Sequence, residues 1–331
     1  MSASPVMPFP EDELTNAVAK LQAGELVGIP TETVYGLAAD ASNADAVAKI
    51  FTAKGRPADH PLIVHLAGAD QLPRWAKEIP DAAYQLAAAF WPGPLTLILK
   101  KQPRVPDAVT GGQDTVGLRV PNHPLTLELL RRFDGGLAAP SANRFGRISP
   151  TTAEHVREEL GDRVARVLDG GPCSVGIEST IVDLSRGVPI ILRPGAITAL
   201  DIERVLAAAV GSGQRESTPR VSGSLDAHYA PLTPLRLVAA EALSAAVSDE
   251  IAAGRKCAVL SFQPQPTQHN LVHYPASHDP AGYAHDLYAA LRSLDQSGAA
   301  VILVEALPEG PAWLAVKDRL SRAACGSGGP A

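Results

Sequence analysis

The sequence predicts an α/β protein, and three observations carry that reading. Short apolar strands alternate with amphipathic helices along the chain. Ala, Val, Leu and Ile dominate while aromatics are only 5%, a mix that suits layered helices and strands better than an all-β sandwich. Glycine and proline, 28 and 29 of 331 residues, are spread along the chain, so they specify turns rather than disorder. At roughly 150 residues per domain the length predicts two domains.

The first helix covers 12–23 and stops at Gly24, a residue free to take the left-handed conformation that ends helices. Residues 26–30 read as a strand running into a loop at 31–36. A helix at 44–53 and a strand at 62–66 follow. The helix at 81–90 is ended by Trp91-Pro92-Gly93-Pro94, and 95–99 is a strand. Further strands lie at 115–120, 136–139, 180–184 and 190–192, with helices at 125–133, 151–160 and 199–210. Several connections are too short for a crossover helix, so this sheet is expected to be mixed. Residues 211–220 (GSGQRESTPR) are polar and without period, a linker, and 221–234 is short and proline-punctuated. Then come a strand at 235–238, a helix at 240–253, strands at 257–262 and 271–274, a helix at 281–294, a strand at 300–304 and a helix at 312–323. That order predicts a small parallel layer. The domains are therefore 1–210, a joining or lid segment 211–234, and 235–331.

Composition also excludes classes. No apolar run approaches the ~18 residues of a membrane span, and residues 1–10 lack the basic and apolar regions of a secretory signal. Cys173, Cys257 and Cys325 form no metal or disulfide spacing, which fits a reducing cytosol. The net charge of −6 argues against a protein that coats polyanions, so any anion must be drawn by a local site.

Four polar stretches are candidates for that site. Thr31, Thr33 and Tyr35 follow the first strand, at the kind of strand end where α/β sheets bind ligands. The same residues would also serve an ordinary capping turn. Lys54 and Arg56 flank Gly55 with Pro57 next, then His60 and His65; two cations beside exposed amides suit a phosphate, or simply settle a helix dipole. Ser141 and Asn143 open a turn that carries Arg144, Arg147 and Ser149. Glu178, Ser179 and Thr180 lead a strand, with Arg193 leaving the next. Arg119, a lone cation in an apolar stretch, needs an anionic partner from protein or ligand. There is no Walker loop, no Gly-x-Gly-x-x-Gly after a strand, no His-Glu-x-x-His and no Gly-x-Ser-x-Gly. A covalent nucleophile is therefore not expected.

Taken together, PTETVYGLAADA, KGRP with HPLIVH, WPGPLTLIL, VGLRVP, APSANRFGRISPT, GIESTIVDL and LRPGAIT resemble, in order, the YrdC-type domain of threonylcarbamoyl-AMP synthases. SGSLDAHYAP at 222–231 resembles the segment that joins this domain to the C-terminal domain in the long form of that family. The resemblance implies a YrdC-type mixed twisted sheet with helices around an open cavity, plus a smaller Rossmann-like C-terminal domain. It implies a cytoplasmic nucleotidyltransferase that makes L-threonylcarbamoyladenylate and pyrophosphate from L-threonine, bicarbonate and ATP. The product serves threonylcarbamoyladenosine formation in ANN-decoding tRNAs and is handed to tRNA-modifying transfer proteins; direct tRNA binding is left open, and no membrane is involved. Mg²⁺ would accompany ATP, with no organic prosthetic group and no metal ligand identified. By motif position Thr33, His65, Arg119, Ala139 and Ser179 would contact threonine. Lys54 and Arg56 would be catalytic. Arg56, His60, Thr115, Ser141, Asn143, Ser149, Arg193, Ser222 and Tyr229 would line ATP. His60 and Val221 depart from the residues commoner at those positions. Two other readings compete: an RNA-binding module using the Lys54/Arg56 and Ser141/Asn143 surface, and carbamoyl transfer onto an acceptor other than threonine.

Overall fold

The computed structural model describes residues 11–213 and 218–328. Ten strands form one twisted sheet: β1 (Val27–Ile29), β2 (Gly36–Asp40), β3 (Ile63–His65), β4 (Leu95–Lys100), β5 (Thr115–Arg119), β6 (Leu137–Ala138), β7 (Arg166–Val167), β8 (Thr180–Asp183), β9 (Ile190–Arg193) and β10 (Gly211–Ser212). Their order across the sheet is β10-β9-β8-β4-β5-β3-β6-β2-β1-β7. The sheet is mixed: β3 runs parallel to β5 and β4 to β8, while β4–β5, β8–β9 and β1–β2 are antiparallel. The expected mixed direction holds.

Most elements lie where periodicity places them. The helix Asp81–Phe90 follows Pro80 and ends before Trp91-Pro92, which is cis. Gly24 and Gly55 take positive φ at the ends of helices Glu11–Gln22 and Ala44–Lys54, and Asn43 caps the second by accepting from the amides of Asp45 and Ala46. Strand β2 was not expected. Gly36, Ala38, Ala39 and Asp40 have little intrinsic strand preference, and pairing with β1 and β6 overrides it. Gly211 and Ser212, expected to begin the linker, instead pair in parallel with β9 as an edge strand. The rest of that linker expectation falls partly on 214–217, outside the described residues.

A second sheet follows: β11 (Leu235–Val238), β12 (Cys257–Ser261), β13 (Leu271–Pro275) and β14 (Val301–Glu305), ordered β11-β14-β12-β13 and parallel throughout. Its core includes Tyr288, Leu291 and Leu320 from the helices Pro280–Asp295 and Leu314–Gly326, and reaches Tyr229, Ile148 and Ile177 from outside this sheet. Between the sheets, Val221 packs with Ile181, Ile190 and Leu192. The Ala230 amide donates to Gly146 O at 2.8 Å, and the amides of Leu232 and Thr233 donate to the Asp295 carboxylate. The joining segment is thus held on both sides.

Candidate active site

The site grows from the C-terminal ends of two parallel neighbours. Register sets His65 of β3 beside Arg119 of β5, and the Ala139 amide, just past β6, donates to Ile63 O at 3.0 Å. Crevices of this kind form where strands end and backbone groups leave the sheet. The loop after β1 folds on itself: the Thr31 hydroxyl donates to Val34 O at 2.6 Å and lies 2.9 Å from the Thr33 hydroxyl. Ser141 joins through a bridge to Gly36. Across the gap, Arg193 donates to Ser179 O from both Nε and Nη2, and to the Ser179 hydroxyl at 3.1 Å.

These pieces enclose one cavity. Thr33, His65, Arg119, Ala139, Ser141, Ser179, Arg193, Ser222 and Tyr229, all expected at the site, line it, and so do Glu178 and His228. The joining segment forms its roof: Ser222 O accepts from Arg193 Nη1 at 2.9 Å, and the Ser222 hydroxyl lies 3.5 Å from Arg56 Nη2. About 40 Å³ is left open inside, room for about three waters.

Other expected residues stand around that wall. Lys54 is buried and donates to Ser141 O and Asn143 O, both at 2.5 Å, so two of its three donors clamp the Ser-x-Asn turn. Arg56 lies 5.9 Å over the Phe145 ring, which His60 meets edge-on at 5.3 Å. Asn143 braces the turn through Arg144 O and Arg147 O, and the Ser149 hydroxyl donates to Glu178 at 2.6 Å. Thr115 lines a neighbouring depression with Gln113, Arg220 and Ser222. Ser222 and Ile63 line both hollows and so stand between them.

Arg119 is not the lone cation that its strand suggested. Glu32 sits 2.7 Å from Arg119 Nη2, with both side chains buried, and the Asn122 amide also donates to Glu32. Electrostatics follow from burial. Desolvation, then the Arg119 charge, lowers His65 to a pKa of about 3, so its imidazole is neutral near pH 7. Desolvation and Arg56 hold Lys54 well below an ordinary lysine, and desolvation brings Arg56 to about 10. Burial raises Tyr229 to about 12. Arg56 Nε, Asn143 Oδ1 and Tyr229 Oη are buried without a hydrogen-bond partner, the condition of groups that await a polar ligand.

Residues 19–195 match the family described as "Telomere recombination", and 197–325 match the threonylcarbamoyl-AMP synthase C-terminal domain. The threonylcarbamoyl-AMP synthase of Bacillus subtilis (strain 168) is 40% identical, covering 96% of this chain and 94% of its own length. That of Pyrococcus abyssi is also 40% identical, covering 93% and 92%. The chain belongs to the threonylcarbamoyl-AMP synthase family. A crystal structure of P. abyssi Sua5 complexed with L-threonine superposes with a TM-score of 0.89 at 38% identity, covering 97% of this chain and 96% of that one.

Family membership makes the missed residues instructive. Glu32 stands inside a motif that carried the resemblance and His228 precedes Tyr229, but neither shows a role until the fold brings its partners; Glu178, already in a candidate stretch, likewise gains its partners only in the fold. Arg319, buried on the helix Leu314–Gly326 among Ala315, Val316, Leu320 and Ala323, is a cation on an apolar helix stripe, a sequence signal that could have pointed to it. For a divalent ion the fit is poor: no group of three or more His, Cys, Asp or Glu among the described residues is arranged to hold a metal. Glu178, the acidic residue of the cavity wall, is already bound by Arg319.

Proposed function

We infer that this protein is a threonylcarbamoyl-AMP synthase that uses L-threonine and ATP. The observation carrying this reading is kinship over nearly the full length of both chains with synthases of a bacterium and an archaeon. In the reaction, the threonine amine and bicarbonate combine to a carbamate with loss of water. A carbamate oxygen then attacks the α-phosphorus of ATP, and the bond from that phosphorus to the bridging oxygen breaks to release pyrophosphate. Such a displacement depends on positioning and charge neutralisation more than on a protein nucleophile.

In this reading Thr33, His65, Arg119, Ala139 and Ser179 hold threonine, with the Arg119 fork on its carboxylate. Neutral His65 adds no charge there. Arg56, His60, Thr115, Ser141, Asn143, Ser149, Arg193, Ser222 and Tyr229 receive the nucleotide. The open volume is smaller than a nucleotide, so this reading has the joining segment, whose Ser222 lines both the main cavity and the hollow beside Thr115, move aside to admit it. Arg56 and Arg193 offset charge on the phosphates, and Lys54 fixes the Ser-x-Asn turn while keeping one donor for the ligand. Because the wall has no carboxylate cage, Mg²⁺ would enter bound to the triphosphate. We assign 1–210 to the catalytic domain, 211–234 to the lid segment and 235–331 to the second domain. The three free cysteines suit a reducing cytoplasm, and the product would supply tRNA-modifying transfer proteins acting on ANN-decoding tRNAs.

Burial disfavours the RNA-binding alternative, since Lys54, Arg56, Arg119 and Arg193 all point inward. The test is pyrophosphate release that requires threonine, bicarbonate and ATP together, with the adenylate identified by mass. Alanine at Lys54 or Arg56 is expected to lower the rate by two orders of magnitude or so. Wild-type rates in both variants would remove these residues from the mechanism, and turnover with carbamoyl phosphate replacing threonine and bicarbonate would favour carbamoyl transfer.

A further inference from the structure

Glu178 is an acidic group in the wall of a cavity read here as the site of a polyanion. Left bare, that carboxylate would repel the nucleotide. The second domain neutralises it. Arg319, with 0% of its side chain exposed, donates from Nε to Glu178 Oε2 at 2.9 Å and from Nη2 to Glu178 O at 3.2 Å. Its Nη1 donates to Asp318 at 2.7 Å and to Pro194 O at 2.9 Å, directly after the site arginine Arg193. Its guanidinium also lies 5.6 Å over the ring of Tyr229 in the roof. Tyr288, from the same domain, donates to Glu178 Oε2 at 2.9 Å, while the other carboxylate oxygen accepts from Ser149. One fully buried arginine thus touches the approach to Ser179, the exit of Arg193 and the lid.

We propose that Arg319 is a positioning residue for the nucleotide site: through Glu178, Pro194 and Tyr229 it completes a cavity whose Glu178 carboxylate the first domain balances only in part, through Arg193 and Ser149. The second domain is then part of the ATP site rather than an appended scaffold. This inference rests on the functional reading above. Burial pushes the Glu178 carboxyl up, but the Arg319 and Arg193 charges and the Ser149 hydrogen bond outweigh it and hold the group at about 2. The charged and titratable groups around it are Arg193, Arg319 and Asp318, with His228, Tyr229 and Tyr288. Without Arg319 its titration moves upward, and protonation then removes the repulsion.

The test is steady-state pyrophosphate release by the full chain, with KM for ATP and for threonine measured between pH 5 and 8. In R319M the ATP KM should rise about tenfold or more at pH 8, with a smaller change for threonine, and should fall back toward wild type as pH is lowered. E178Q in the R319M background should remove that pH dependence and recover most of the ATP KM. R319K, which keeps the charge but not the fork, should be intermediate. Y288F, checked by thermal unfolding, carries the test if R319M does not fold; its ATP KM should rise about threefold. A wild type that turns over while folded R319M keeps its ATP KM overturns the inference, as does an R319M defect that E178Q leaves unchanged, or an unchanged ATP KM in Y288F. A wild type that releases no pyrophosphate overturns the functional reading, and this inference with it.

Discussion

A cation at a strand end in an apolar stretch has to be balanced, and Arg119 shows what sequence reasoning sees of such a residue and what it misses. The need for an anion was legible. Its supplier was not, because Glu32 lies 87 positions earlier in a loop whose threonines drew the attention. With the two groups 2.7 Å apart and both buried, each holds the other in place. E32Q therefore leaves a buried cation uncompensated, and urea unfolding should show a loss of about 3–5 kcal/mol. R119M combined with E32Q should recover more than half of that, since the double variant buries no lone charge. If E32Q stays within about 0.5 kcal/mol of wild type, the pair does not hold the loop. Lys54 makes a parallel case: its residue type pointed to phosphate, but its bonds to Ser141 O and Asn143 O appear only when the helix end and the turn meet.

Elements were legible where local chemistry fences them. Proline on both sides fixes Asp81–Phe90, and runs rich in Leu, Ile and Val fix β4 and β12. β2, β7 and β10 escaped because they are short or poor in strand-forming residues and exist through their neighbours. Residues 218–234 of the joining segment form no helix or strand beyond a single bridge at Ala230, yet their geometry is specific. Gly223 has φ +79°, and a Cβ there would meet Tyr229 Oη at 2.2 Å and Arg193 Nη1 at 3.1 Å. Tyr229 itself holds φ +61°. G223A should therefore push the roof off Arg193, raise the ATP KM several-fold, and cost about 1–2 kcal/mol of stability through the positive φ. Measuring both separates the effects: a stability loss with an unchanged ATP KM would show that the roof's contact with Arg193 does not matter to the nucleotide.

At the scale of the whole molecule, the net charge of −6 conceals a core that buries Lys54, Arg56, Arg119, Arg193, Arg292 and Arg319. Counting charge over the chain could exclude a polyanion coat but could not reveal cations turned inward. Histidines in the same interior make the fold sensitive to acid. Burial, then the Arg119 charge, lowers His65 to about 3; burial, against the pull of Glu178, lowers His228 to about 3; and burial with Arg292 lowers His155 to about 4. Each folded pKa lies below the unfolded value near 6.5, so between roughly pH 6.5 and those values the unfolded chain binds protons that the folded one refuses. Stability then rises with pH: it is fully present above pH 6.5 and drains as the pH falls. His65 and His228, both fully enclosed, together set a limiting slope of at most about 3 kcal/mol per pH unit near pH 5. The urea midpoint should therefore fall steeply from pH 7 to pH 5, and H228Q should lose about half the slope attributable to the two, because its amide takes up no proton. A midpoint that does not move over that range would mean that these imidazoles are wet or already charged in the folded protein, and that the roof over the cavity is open at rest.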